Sequence, residues 1–401
     1  MFGGGGRRQP YPVLALLSPG QGAQTPGFLD PWLDHDDIRA RLRWYSAVVG
    51  RDLVALGTTG TAEQIRDTAA CQPLLVATAL AVGHQLVDGN PAAFRLLAGH
   101  SVGELAVAAL AGALSDEAAL TLVRERGDAM AEAAATEPTG MSAVLGGDPA
   151  VVLAAIDAAG LTAANCNGAG QVVAAGELAR LAALPAALDG VARVVPLEVA
   201  GAFHTSFMSS ARKHLADVAA AAPVVDPRSR VVSNADGAVV SDGRELLRRL
   251  VDQVSAPVRW DACLDTLAAA DITAVVELPP AGTLTALVRR ALPDVGTLKL
   301  RGPEDLAAAR GLLATHGAET PAHAPSWRVV VAPSGGTLVA SADALDSVAP
   351  GARVGRIEGR SGAVDVVSAH GGVLVEWLAS DGDPVKPGQP LVRMHPGGTE
   401  L

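Results

Sequence analysis

The stretch Leu96-Leu97-Ala98-Gly99-His100-Ser101-Val102-Gly103-Glu104 constrains this chain more than any other. A short apolar run enters a Gly-x-Ser-x-Gly pattern, and an Ala/Leu-rich run from Glu104 to Ala113 leaves it. The order predicts strand, sharp turn and helix, the setting in which that pattern presents a serine hydroxyl to a cleft. Such a turn strains the serine backbone and leaves room only for small neighbours, which Gly99 and Gly103 supply. The first N–H groups of the following helix point toward the hydroxyl and can hold an oxyanion. Without its flanks the pattern would be an ordinary turn. With them it predicts an α/β sheet carrying a nucleophile.

Composition limits what such a sheet could serve. The 401 residues suffice for two to four domains. A net charge of −11 argues against general affinity for nucleic acid or an anionic membrane. Cys71, Cys166 and Cys263 are isolated and odd in number, which fits a reducing compartment without a disulfide framework or a zinc site. The apolar run Val13 to Leu17 is too short for a signal-peptide core and reads as a buried first strand. The uncharged window Thr68 to Val87 contains Gln72, Pro73, His84 and Gln85. It reads as a buried helix starting near Pro73, not a membrane span. The expectation is a cytoplasmic protein with neither nucleic acid nor membrane as partner.

Along the chain, residues 1–10 are expected to be disordered. The first strand ends in Ser18-Pro19-Gly20-Gln21-Gly22-Ala23-Gln24, a glycine-rich loop where open α/β sheets bind ligands. It lacks the spacing of a nucleotide loop. Helices are expected at 30–50, 61–68, 73–87 and 116–134. Residues 137–199 then read β-α-β-β-α-β, a ferredoxin-like split βαβ inserted into the larger domain. The α/β pattern resumes over 200–315, with a helix across 258–270, so the main core is 11–136 plus 200–315. Residues 316–326 are Ala/Pro-rich and aperiodic, a linker. Residues 327–397 are Val-rich and broken by Gly and Pro. They repeat a motif: Gly335-Gly336-Thr337-Leu338-Val339 before Val348-Ala349-Pro350-Gly351, then Gly371-Gly372-Val373-Leu374-Val375 before Val385-Lys386-Pro387-Gly388. Two copies predict a small pseudo-symmetric β-sandwich.

A serine nucleophile needs a base. Of nine histidines, His204 is the best placed. Its loop, Gly201-Ala202-Phe203-His204-Thr205, follows the last strand of the insert and can return over the main cleft. His100 adjoins the serine but leaves the turn in another direction. An acid behind the base is the usual arrangement, and Asp252 and Asp261 are the rivals for that place. Arg124-Glu125-Arg126, taken alone, reads as a solvated helix face.

Together these pieces resemble the malonyl-CoA:acyl-carrier-protein transacylase family over about residues 11–312. The matching segments are Pro19 to Gln24, Gly99 to Glu104, Arg126-Gly127 with Met130, Asn165 to Gln171, Ala202-Phe203-His204, and Gln253 with Pro257-Val258-Arg259-Trp260. The resemblance implies an α/β-hydrolase-like acyltransferase core and ping-pong transfer. Ser101, with His204 as base, would take the malonyl group of malonyl-CoA and pass it to the phosphopantetheine thiol of an acyl carrier protein in fatty-acid biosynthesis. It further implies that Gln21 and Val102 give backbone N–H groups to the oxyanion, and that Gln253 orients His204 through its main-chain carbonyl. Arg126 would bind the malonyl carboxylate as a bidentate fork, with Met130, Phe203 and Asn165 lining the substrate site. No metal or bound cofactor is implied. The same chemistry could serve a polyketide synthase or a malonate decarboxylase, and a non-catalytic scaffold is the reading from another class. Pro279-Pro280-Ala281-Gly282 departs from the family's Gly-Pro-Gly. The pairs Arg248-Arg249 and Arg289-Arg290 could meet an acidic carrier, although solvated helix faces explain each pair singly.

The C-terminal region resembles biotinyl/lipoyl carrier domains, which present a lysine on a hairpin between the two repeats. Here that turn is Glu358-Gly359-Arg360-Ser361-Gly362, and the chain's lysines are Lys213, Lys299 and Lys386. Neither biotin nor lipoate is therefore expected. The module reads as a docking element, with carboxylase or synthase components as its partners, or as an inert appendage.

Overall fold

The computed structural model describes residues 13–87, 93–316, 328–343, 346–359, 362–368 and 371–395. The expected disordered segment 1–10 and all of the expected linker but His316 lie outside the described residues. The chain divides into two compact units, Met1–Glu319 and Thr320–Leu401.

In the first unit the strands are β1 (Leu14–Ser18), β2 (Leu96–Gly99), β3 (Thr139–Leu145), β4 (Thr162–Gly168), β5 (Gln171–Glu177), β6 (Arg193–Pro196), β7 (Val231–Val232), β8 (Val239–Val240), β9 (Val258–Arg259), β10 (Ala274–Glu277) and β11 (Gly296–Lys299). The main sheet has the order β11-β10-β1-β2-β7-β8. Its first five strands are parallel and only β8 runs against its neighbour. Every residue of β1, β2 and β10 is buried, as expected of parallel strands covered on both faces. The paired register sets Ser18 opposite Gly99. The loops after β1 and β2 therefore leave the sheet side by side, at the carboxyl ends where such sheets bind ligands.

The second sheet has the order β6-β3-β5-β4-β9. Its first four strands, with helices Pro149–Ala158 and Leu178–Ala187, form a split βαβ with its own core around Val144, Val152, Ile156 and Leu184. The fifth strand corrects the sequence reading, which put 258–259 in a helix. Pro257 biases Ala256 to extended backbone, φ −122° and ψ 150°. Val258 and Arg259 then pair in parallel with Asn165 and Cys166, and the helix starts at Trp260.

A second correction concerns the apolar helix, which runs from Thr68 to Val87 with Pro73 inside it. Asp67 accounts for the earlier start. Its side chain accepts from Ala70 N–H at 3.0 Å, and its carbonyl accepts from Cys71 N–H at 2.7 Å. By length and hydropathy this helix could cross a membrane, but 83% of its most apolar window is buried inside the protein. It packs against the helix Asp116–Ala134, which brings Gln72 beside Arg126.

The second unit holds β12 (Arg328–Val331), β13 (Gly336–Ala340), β14 (Ser347–Val348), β15 (Arg353–Gly359), β16 (Gly362–Val367), β17 (Gly372–Trp377), β18 (Pro384–Val385) and β19 (Pro390–His395). They form two four-stranded sheets, β16-β15-β13-β18 and β12-β19-β17-β14. Advancing each strand of the first sheet by four places, cyclically, generates the second. The repeated sequence motif thus lays down two equivalent sheets around Leu338, Ile357, Leu374 and Leu391.

Candidate active site

The turn after β2 is built by exclusion. A Cβ on Gly99 would lie 2.1 Å from the Gly103 carbonyl carbon, and one on Gly103 would lie 2.3 Å from the Ser18 oxygen. Only glycine fits at either position, because helix Gly103–Leu110 starts directly against the two loops. Between them Ser101 sits at φ 52°, a left-handed conformation that L-residues adopt at a cost and that clusters at functional sites.

His204 stands in a second strained position, φ 61°, on the loop that returns from β6. Its Nε2 lies 2.8 Å from Ser101 Oγ and its Nδ1 lies 2.8 Å from the Gln253 carbonyl oxygen. A carbonyl only accepts, so Nδ1 carries the proton and Nε2 offers its lone pair to the serine hydroxyl. Burial pushes the imidazole down to about 3, helped by the Arg126 charge and opposed by the Gln253 carbonyl. The imidazole is therefore neutral across the ordinary pH range and loses its lone pair only as pH falls toward 3. The rate at which a fluorophosphonate modifies Ser101 should stay level from about pH 8 to about pH 5. Loss of half the rate near pH 6.5, the titration of an ordinary histidine, would contradict this geometry.

Arg126 corrects the solvated-face reading, since only 1% of it is exposed. Nη1 donates to Gln72 Oε1 at 2.6 Å and Nη2 to Gln253 Oε1 at 2.9 Å, and Nη2 lies 3.4 Å from Ser101 Oγ. Burial lowers its pKa to about 10, against the attraction of Glu104, so it stays ionised at neutral pH. The Gln253 side-chain amide in turn donates to Glu104 Oε2. Burial pushes the Glu104 carboxyl up to about 8, while Asn234 N–H, the Arg126 charge and the Gln253 amide pull it down. Arg124, two residues before Arg126, is half-buried and pairs with Glu125 at 2.6 Å. Gln72, Asn234 and the role of Glu104 were not apparent in the sequence. Their contacts join segments 54 to 149 residues apart, and no local pattern marks them.

Ser101, His204 and Gln72 open on a cleft of about 630 Å³ lined from both the main domain and the inserted subdomain, whereas Arg126, Gln253 and Glu104 are buried and do not line it. Gln21, Ser101, Val102, Met130, Asn165, Phe203 and His204 all line it. Among the described residues, neither the Gln21 nor the Val102 backbone N–H has a partner within the protein. His100 turns away from the serine to Asn167 Oδ1, 2.9 Å from its Nε2. Neither rival acid reaches His204: Asp252 is held by Arg212 and Arg248, and Asp261 by Arg259. The arginine pairs also have partners within the protein. Arg248 and Arg249 meet Glu245, Arg289 meets Thr297, and Arg290 meets Gln171. No cluster of three metal-ligating side chains occurs among the described residues.

Comparison with known proteins points the same way. The family described as acyl transferase domain matches residues 18–312. The malonyl CoA-acyl carrier protein transacylase of Mycobacterium tuberculosis strain H37Rv is 45% identical over 296 residues, 73% of this chain and 98% of the relative. The crystal structure of MCAT from Mycobacterium tuberculosis superposes with a TM-score of 0.71 at 44% identity, over 74% of this chain and 99% of that one. A solved complex of a type II PKS acyl-carrier protein with its malonyl-transacylase aligns at a TM-score of 0.71 and 28% identity, over 74% of this chain and 98% of that one. The family match ends before the C-terminal β unit.

Proposed function

Since the chain belongs to the acyl transferase domain family, we propose that it moves a malonyl group from malonyl-CoA to the phosphopantetheine thiol of an acyl carrier protein. Ser101 Oγ attacks the thioester carbonyl while His204 Nε2 takes the hydroxyl proton. The oxyanion of the tetrahedral adduct accepts from the free N–H groups of Gln21 and Val102. Donors so placed each lower such barriers by about 3–4 kcal/mol in other enzymes. The adduct collapses, the C–S bond breaks, and CoA leaves as the thiol with the proton from His204. In the second half His204 deprotonates the carrier thiol, which attacks the malonyl-serine ester, and the proton returns to Ser101. Gln253 keeps the imidazole oriented through its main-chain carbonyl. A thioester is more reactive than an amide, so a neutral carbonyl suffices there in place of a carboxylate.

The observation that carries the malonyl assignment is the buried guanidinium 3.4 Å from Ser101 Oγ. One methylene separates the malonyl carboxylate from the carbonyl under attack. A fork beside the nucleophile is thus within reach of that carboxylate and of little use to an acetyl group. Gln72 accepts from Nη1 and Gln253 from Nη2, which leaves a second N–H on each nitrogen for the carboxylate, and Met130, Phe203 and Asn165 enclose the short acyl chain. The reaction requires no bound cofactor. The test is incubation with labelled malonyl-CoA and a phosphopantetheinylated carrier protein, which should yield labelled carrier. Failure to label either protein would overturn the assignment.

We place the reaction in fatty-acid biosynthesis, in the cytoplasm. The solved polyketide carrier complex makes a polyketide acceptor the second reading, and comparison of the two carriers in the same assay separates them. We further read the C-terminal unit as a biotinyl/lipoyl-like sandwich kept without its attachment chemistry. The four-place pseudo-symmetry of its sheets supports this, as does a hairpin β15–β16 pairing Gly359 with Gly362. Arg360 and Ser361 lie outside the described residues. A carboxylase or synthase component is the kind of partner this unit would address.

A further inference from the structure

Asn234 is fully buried and lies two residues beyond β7. Because β7 runs parallel to β2 with Val232 opposite Ala98, Asn234 comes level with the nucleophile turn and bonds to it at three points. Its Oδ1 accepts from Ser101 N–H at 2.8 Å, its Nδ2 donates to the Gly99 carbonyl at 2.8 Å, and its own N–H donates to Glu104 Oε1 at 2.6 Å. Gln253 Nε2 lies 3.2 Å from the same Oδ1, and Arg259 N–H donates to the Asn234 carbonyl at 2.8 Å. The side chain is thereby held in one orientation, with acceptor toward Ser101 and donor toward Gly99. Residues 99 and 101 flank His100, and the backbone enters the left-handed region at Ser101. We propose that Asn234 is the positioning residue of the nucleophile: its amide clamps both limbs of the strained turn and fixes where the Ser101 hydroxyl lies against His204. The clamp also occupies the Ser101 N–H, which leaves the oxyanion to Val102 and Gln21. The proposal rests on Ser101 being the nucleophile.

A clamp acts on the chemical step, not on substrate affinity. In the full chain, Asn234→Ala is expected to lower kcat for malonyl transfer by about 100-fold, the cost of an ångström-scale misplacement. KM for malonyl-CoA should stay within about threefold of wild type, provided that binding equilibrates before chemistry. Asn234→Asp keeps the shape and adds a readout that general loosening would not give. Ionised, it sets a second acceptor against the Gly99 carbonyl. Protonated, it can again donate there while accepting from Ser101. Its kcat should rise at least about tenfold from pH 8 to about pH 5.5, while Asn234→Ala stays flat. The ionisable groups facing this position, the Glu104 carboxyl and the Cys263 thiol 3.5 Å from Nδ2, and Arg126 behind Gln253, are present in both variants. Their own titration is common to both variants, and only their coupling to the introduced carboxylate, which itself requires that carboxylate to ionise, differs. An unchanged kcat in Asn234→Ala overturns the proposal, as does a KM raised in proportion, or an Asp variant that does not recover in acid. If Ser101→Ala still forms the malonyl-enzyme, the nucleophile assignment fails instead.

Discussion

Ser101→Ala is expected to abolish the malonyl-enzyme and to lower transfer to the carrier by at least about 10⁴-fold. Loss of a nucleophile acting as a unit with its base has effects of that size or larger in serine enzymes. The fold should survive. Ser101 Oγ touches only His204 and the edge of Arg126. The turn itself is held by backbone and Asn234 contacts that an alanine retains. A left-handed alanine costs about the same strain as the serine it replaces. Intact mass after incubation with malonyl-CoA gives the readout. A malonyl adduct on wild type that is missing from Ser101→Ala fits the scheme. An adduct on both moves the nucleophile elsewhere.

The second large effect is one of specificity. Arg126→Ala should lower kcat/KM for malonyl-CoA by about 100-fold, the worth of a charge-assisted fork in a desolvated site. It should lower that for acetyl-CoA by less than about tenfold, because the lost guanidinium also supports Gln72 and Gln253. The measured quantity is the ratio between the two donors. Equal losses would show that Arg126 only braces the site. Arg126→Lys separates charge from geometry: an ammonium keeps the charge but cannot present two parallel donors, so it should recover part of the malonyl rate.

Parts of this site were legible because local sequence encodes them. Gly99-His100-Ser101-Val102-Gly103 predicts its own turn, since two Cβ atoms would collide there. The histidine could be picked out only through its loop context. Arg126 lies on the buried stripe of its helix, three or four residues from Leu122, Val123, Ala129 and Met130, and the helix turns Arg124 to the other side. What that helix alone does not show is what the buried guanidinium meets: Gln72 from helix Thr68–Val87 and the Gln253 side chain. The group behind His204 is the Gln253 carbonyl and neither of the two rival acids, for a related reason. Asp252 and Asp261 are close in number, but surface arginines hold both.

The sequence by itself determined the parallel sheet, the inserted split βαβ, the repeated β module and the sharp turn that presents Ser101. Each follows from short-range patterns of apolar residues and from glycine sterics, which act within one turn or strand. Tertiary structure alone decided the inner network of Gln72, Arg126, Glu104, Asn234 and Gln253. Those five side chains come from four separate helices and from the loop after β7, and they meet only when the main sheet closes. A buried charge and four buried polar groups can lie together there because each finds a partner from another segment. That mutual satisfaction belongs to the folded arrangement, and no stretch of chain carries it alone.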